Sequence, residues 1–144
     1  MKVFTKSIFL SLIFLFSLSL NAQDTFSIVA VDSVTGEVGS AGASCVNLIP
    51  YPNYTFHFLG ELIPGVGAIN TQAYYLAGNQ LNARNKMLEG LSPSEIVEWL
   101  EQNDIENNPG KRQYGIVGFV NGSPEAAGYT GVNTDDYKNH VTGP

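Results

Sequence analysis

The order of elements predicts an α+β protein: strands, then two helices, then strands, with an antiparallel sheet and helices packed on one face. Three observations carry this reading. Thr25 to Val31 alternates and is rich in β-branched residues. Ser92 to Glu95 opens an amphipathic run. Gln113 to Gly131 reads as two strands about Asn121-Gly122. The pattern fits one sheet or two. At 144 residues the chain is the length of one domain.

Residues 1–22 stand apart from that domain. Lys2 and Lys6 form a basic start, Ser7 to Leu20 is a short apolar run, and Asn21-Ala22 ends it on a small residue. This is the layout of a secretory signal peptide. A membrane span fits less well, because the run is shorter than the ~20 apolar residues a bilayer core needs. Cleavage after Ala22 leaves Gln23 first, and a cut after Gln23 or Asp24 is the alternative. The expected mature chain is exported, periplasmic or secreted, with no membrane span. Losing two lysines takes its formal charge from −6 to −8, which argues against nucleic acid or anionic membrane as a partner. Cys45 is the only cysteine, so no intramolecular disulfide forms. A small buried core residue is the expectation for it, rather than a reactive thiol.

The first strand, Thr25–Val31, is followed by turn chemistry at Asp32 to Gly36 and by a small, Gly-rich second strand, Glu37 to Ser44. Its lack of bulk lets another backbone layer or a ligand approach closely. This hairpin is expected at the centre of the sheet. Asn47 to Glu61 reads as a loop broken by Pro50 and Pro52, running into a short strand at Thr55 to Leu59. A further strand follows a glycine bend at Gly65.

From about Tyr74 to Glu89 the pattern turns helical, with Ala73, Ala77, Leu81 and Leu88 on one face and Gly90 as the stop. The next helix is announced by a capping box at Ser92 to Glu95 with Pro93 at N1. Ile96, Trp99 and Leu100 form its buried stripe. Asn103 to Gly110 is a polar connection. Asn121 to Pro124 is a hairpin turn, and Asn133 to Pro144 is polar and turn-rich.

Familiar chemical motifs are missing. HExxH, paired CxxC, EF-hand spacing and the GxSxG elbow do not occur, so no metal site is expected. The GxG at Gly65-Val66-Gly67 lacks the third glycine, since position 70 is Asn, and no GK[ST] is present; no cofactor is expected. His57 lies among aromatics and reads as packed or surface. His140 lies in a polar loop and is the better functional candidate. Asp135-Asp136 reads as a solvated turn, and Arg84 as a snorkelling surface arginine.

Together these segments resemble the bacterial family called domain of unknown function 1028. The carrying residues are TFSIVAVDSVTGEVGSAGAS (25–44), PGVGAINTQA (64–73), EGLSPSEIVEWL (89–100), RQYGIV (112–117), AAGYTG (126–131) and HVTG (140–143). The resemblance implies an N-terminal-nucleophile hydrolase fold, an αββα sandwich of antiparallel sheets. The family domain is longer, so residues 23–144 are expected to be the N-terminal portion of a larger domain. Many members begin Met-Thr at the point matching Thr25; here Thr25 follows a leader instead, with Gln23 and Asp24 expected to stay attached ahead of it.

The resemblance implies an amide hydrolase in which Thr25 is the nucleophile and its α-amine the base. Its substrate would be a small-molecule or peptide amide. Backbone N–H groups around Gly67 or Ser44 would serve the oxyanion. Ser44 itself, then Cys45, are the next nucleophile candidates, and His140 is a further catalytic candidate. A non-catalytic periplasmic or secreted binding protein on the same fold is the alternative.

Overall fold

The computed structural model describes residues 25–143. The expected leader over residues 1–22 lies outside them, as do Gln23, Asp24 and Pro144. Strands β1 (Thr25–Val31) and β2 (Val38–Ser44) pair antiparallel, from Thr25 opposite Ser44 to Val31 opposite Val38. The turn between them is held as its sequence predicts. Asp32 Oδ1 accepts from the N–H groups of Thr35 and Val34 at 2.9 and 2.7 Å. Those bonds keep the Asp32 carboxyl below its usual range.

A second sheet has the order β3 (Gly60–Ile63), β4 (Gly67–Gln72), β5 (Gln113–Val120) and β6 (Ser123–Thr130), antiparallel throughout. Helices α1 (Ala77–Leu88) and α2 (Pro93–Gln102) pack together on one face of it. The β1–β2 pair lies on the other face, chiefly over β3, β4 and β5. The first hairpin is therefore not at the centre of the larger sheet; it forms a two-stranded sheet of its own. Small side chains explain the stacking. Val29 sits over Gly115, where an added Cβ would lie 3.7 Å from Val29 Cγ2.

Residues of β4 and β5 alternate between the two layers. Ile69, Tyr114 and Ile116 face the helices and join Ile63, Ala83, Met87, Ile96 and Leu100 in the main core. Each large apolar side chain so buried contributes roughly 1.5–3 kcal/mol. Asn70 faces the other way, toward the hairpin. Its Nδ2 donates to the Ile28 carbonyl at 3.1 Å, and its Oδ1 accepts from Ser40 at 2.6 Å.

Helix α2 forms as its capping box dictates, with Ser92 and Glu95 satisfying each other's backbone N–H groups. Helix α1 ends at Gly90 (φ +89°). The Leu91 N–H reaches Lys86 O, and the Gly90 N–H reaches Met87 O, which is the Schellman arrangement. The buried face of α1 departs from expectation. Leu81 and Leu88 are exposed, while Asn79, Gln80, Ala83 and Met87 are buried. The strand expected over Thr55 to Leu59 is instead a 3-10 turn, Phe56–Leu59, followed by β3. The Tyr54, Phe58 and Tyr75 rings meet edge to face around it.

Candidate functional site

Thr25 and Ser44 face each other at the open end of the hairpin. The Asp32 N–H donates to Glu37 O at 2.8 Å, which makes residues 32 and 37 a hydrogen-bonded pair. Counting along the register, Thr25 and Ser44 fall on a non-hydrogen-bonded pair, where side chains approach most closely. Their hydroxyls are 2.7 Å apart. Ser44 Oγ also accepts from the Val46 N–H at 3.2 Å.

A row of neutral polar side chains continues from that point. Gln72, Gln113 and Thr130 are register partners across β4, β5 and β6. All three face the hairpin side of the sheet. Gln72 Nε2 donates to the Thr25 carbonyl at 3.2 Å and to Gln113 Oε1 at 2.6 Å. Gln72 Oε1 accepts from the Ser27 hydroxyl at 2.9 Å. Gln113 Nε2 donates to Thr130 Oγ1 at 3.1 Å and to the Asn139 carbonyl at 2.7 Å. Thr130 Oγ1 lies 2.9 Å from His140 Nδ1.

The amide orientations follow from the partners. A carbonyl oxygen only accepts, so an NH2 group must face Thr25 O at one end and Asn139 O at the other. The two requirements agree at the central contact, where Gln72 donates and Gln113 accepts. Both N–H bonds of each amide are then used.

His140 reaches this row because β6 has glycine beneath it. A Cβ at Gly128 would lie 2.5 Å from the His140 ring. Gly128 and Gly115 are register partners, so the His140 segment and β1 lie side by side on one face.

The structure thus brings Thr25 and Ser44 into contact and links His140 to them through Gln72, Gln113 and Thr130. It does not bring Gly67. That residue begins β4 while Gln72 ends it, about 16 Å apart at strand rise, and Gly67 faces Met87 on the helix side. Gly67 is therefore removed as an oxyanion donor. Cys45 is exposed, not buried: it follows β2, whose residues from Gly39 to Ser44 are themselves exposed. The side chain of His57 lies outside the described residues. Arg84 pairs with Glu61 rather than lying alone on the surface. Trp99 packs against the core, with Lys86 over its ring at 5.0 Å.

Sequence reasoning gave Gln72 and Gln113 no role, although both lie in segments that carry the family resemblance; only strand register places them together. It also missed a buried polar cluster behind the row. Arg112 Nε donates to Asp104 Oδ2 at 2.8 Å. Asn79 Nδ2 donates to the same oxygen at 2.6 Å and to Tyr114 OH at 2.9 Å. Burial alone would raise the Asp104 carboxyl, but Arg112, the Asn108 N–H and Asn79 together hold it well below the carboxylate range. Burial pushes the Tyr114 phenol up to about 12.

Arg112 Nη1 donates to the Tyr74 carbonyl at 2.6 Å. Ala73 and Tyr74 both have positive φ, 53° and 50°, a conformation that costs a non-glycine residue about 1–3 kcal/mol. The buried guanidinium thus holds the strained bend that immediately follows Gln72.

A cavity of about 210 Å³ lies elsewhere, at the far end of the sheet, lined by Val66, Met87, Leu91, Pro93 and Phe119 among others. Its lining brings no titratable side chain. Among the described residues, no cluster of three or more His, Cys, Asp or Glu side chains is placed to hold a metal. No helix among them is long and apolar enough to cross a membrane.

No curated protein and no solved structure matches this chain. A family of unknown function, DUF1028, matches residues 25–144, a span that takes in both sheets, both helices and the whole Thr25 to His140 row. The chain therefore belongs to the DUF1028 family.

Proposed function

We propose that the protein is an exported amide hydrolase of the N-terminal-nucleophile type, with Thr25 as the nucleophile. The observation that carries this reading is the Thr25–Ser44 hydroxyl pair, 2.7 Å apart at an exposed strand end, with the Thr25 carbonyl tied down by Gln72. The leader-like residues 1–22 support export, and the four-layer αββα sandwich implied by the family resemblance supports the reaction type.

The chemistry needs Thr25 to be first in the mature chain. Its α-amine, with a pKa near ~8, then takes the hydroxyl proton as Oγ1 attacks the amide carbon. The tetrahedral intermediate collapses with loss of the amine, which receives that proton, and an ester remains on Oγ1. Water hydrolyses the ester and restores Thr25. Ser44 accepts from the Val46 N–H, which leaves its own proton free to point at Thr25 Oγ1 and to stabilise negative charge there.

The test is covalent labelling by a threonine-directed electrophile, read as adduct mass. The folded full chain, cut immediately before Thr25, should label once. Thr25→Ala, and a chain retaining Gln23-Asp24, should not. Equal labelling of all three moves the nucleophile to Ser44 or Cys45. No labelling of any sinks the hydrolase and leaves a binding protein on the same fold. N-terminal sequencing of the secreted protein tests export and processing together, and full-length chain in the cytoplasm would overturn both.

A further inference from the structure

We infer that Gln72 is a positioning residue for the Thr25 nucleophile, with Gln113 as its support. This rests on the hydrolase reading above. A residue at the start of a chain has no preceding peptide to hold it, so its Cα can turn about the bond to its own carbonyl. Thr25 has two anchors that stop this rotation. Gln72 Nε2 holds its carbonyl oxygen at 3.2 Å, and Ser44 holds its hydroxyl at 2.7 Å. With the carbonyl and Cβ branches fixed at a chiral carbon, the third branch is fixed as well, and that branch is the α-amine. The base is thereby aimed at its own side chain without touching Gln72.

Register explains why a side chain must do this work. Thr25 lies in a non-hydrogen-bonded pair of the hairpin, so its carbonyl points away from β2. Among the described residues no third strand of that sheet receives it. Gln72 takes the place of one, reaching up from β4 to Thr25 and Ser27 together. Its own amide cannot turn over, because Gln113 Oε1 accepts its second N–H at 2.6 Å. Gln113 is fixed in turn by Asn139 O and Thr130. Preorganisation of this kind matters because a misplaced base slows proton transfer far more than it weakens binding.

The test uses the folded full chain cut before Thr25, with the electrophile labelling rate measured against pH. Gln72→Met keeps the length and removes every hydrogen bond; it should label about tenfold more slowly with a cooperative melt retained. Gln72→Glu places a carboxylate near the new amine and should move the rising limb of the pH profile upward by about half a unit or more. A structural role alone would lower the melt without moving that limb. Gln113→Met is read in place of Gln72→Met if the latter does not fold, and should also slow labelling. Wild-type rates in the folded variants, with the limb unmoved, overturn the inference while Thr25→Ala still shows Thr25 to be required. Labelling that survives Thr25→Ala places the nucleophile on a residue other than Thr25 and overturns the Thr25 reading, and this inference with it.

Discussion

Asp104 and Arg112 form an ion pair at 2.8 Å with side chains 0% and 3% exposed. Neither charge has water to fall back on. Removing one member leaves the other buried without its partner, which costs about 3–5 kcal/mol. Asp104→Ala should therefore lower the unfolding free energy by that amount in urea titration. A loss under about 1 kcal/mol would show that Glu106, which also accepts from Arg112 at 2.6 Å, carries the guanidinium alone.

The same cluster contributes to the pH dependence of the fold at both ends. The Asp104 carboxyl is depressed from 3.8 in the folded state. Below about pH 4 the unfolded chain binds a proton that the folded chain refuses, so stability falls as the pH drops. Tyr114 acts at the other end. Its phenol is raised from 10.0 to about 12, so stability falls again as the pH rises from 10 toward 12. Melting temperature against pH should be flat between these limits as far as these two groups go. Tyr114→Phe should remove the alkaline decline due to that phenol.

The Ser92 hydroxyl accepts from the Glu95 N–H and from it alone among helix N–H groups. Ser92→Ala should cost about 1 kcal/mol, measured as a shift in the urea midpoint with unchanged slope. Because α2 supplies Ile96 and Leu100 to the core, its end cannot fray without disturbing the sheet. A neutral result would mean that packing alone holds the first turn.

The Cys45 thiol should react with a maleimide in the native protein as fast as in urea, since it is exposed. Protection in the folded state would contradict its placement just beyond β2.

Gly128→Val should displace His140, whose ring occupies the space a side chain needs. The His140 ring resonances should shift and the Thr130 contact should be lost. Unchanged resonances would mean that the ring does not lie on β6.

Much of this fold was legible where one local rule decided the outcome. The Ser92 capping box, the Gly90 stop and the Asn121-Gly122 turn each depend on residues a few positions apart, and each formed. The periodicity of helix α1 points to the wrong face for the opposite reason. Its leucines point outward, while Asn79 is buried because Asp104 and Tyr114, 25 and 35 residues away, satisfy its amide. No periodicity displays such partners. The site divides in the same way. Thr25 and Ser44 are brought together by one tight turn, so their stretch was legible. Gln72, Gln113 and Thr130 become neighbours only through pairing of three strands, and glutamine in a strand carries no signal of its own.

The two-sided character of β4 has a consequence for how reliably the chain finds one arrangement. Sliding β4 by a single residue against β5 would turn Ile69 toward the hairpin and Asn70 toward the helices. The first move empties the oily side and the second buries an amide among Met87, Ile96 and Leu100 with nothing to bond. Most sheets with one wet face penalise such an error once. Here the alternation of Ile69 and Asn70 penalises it from both sides, so the strand that aims Gln72 at Thr25 is also the one least able to slip.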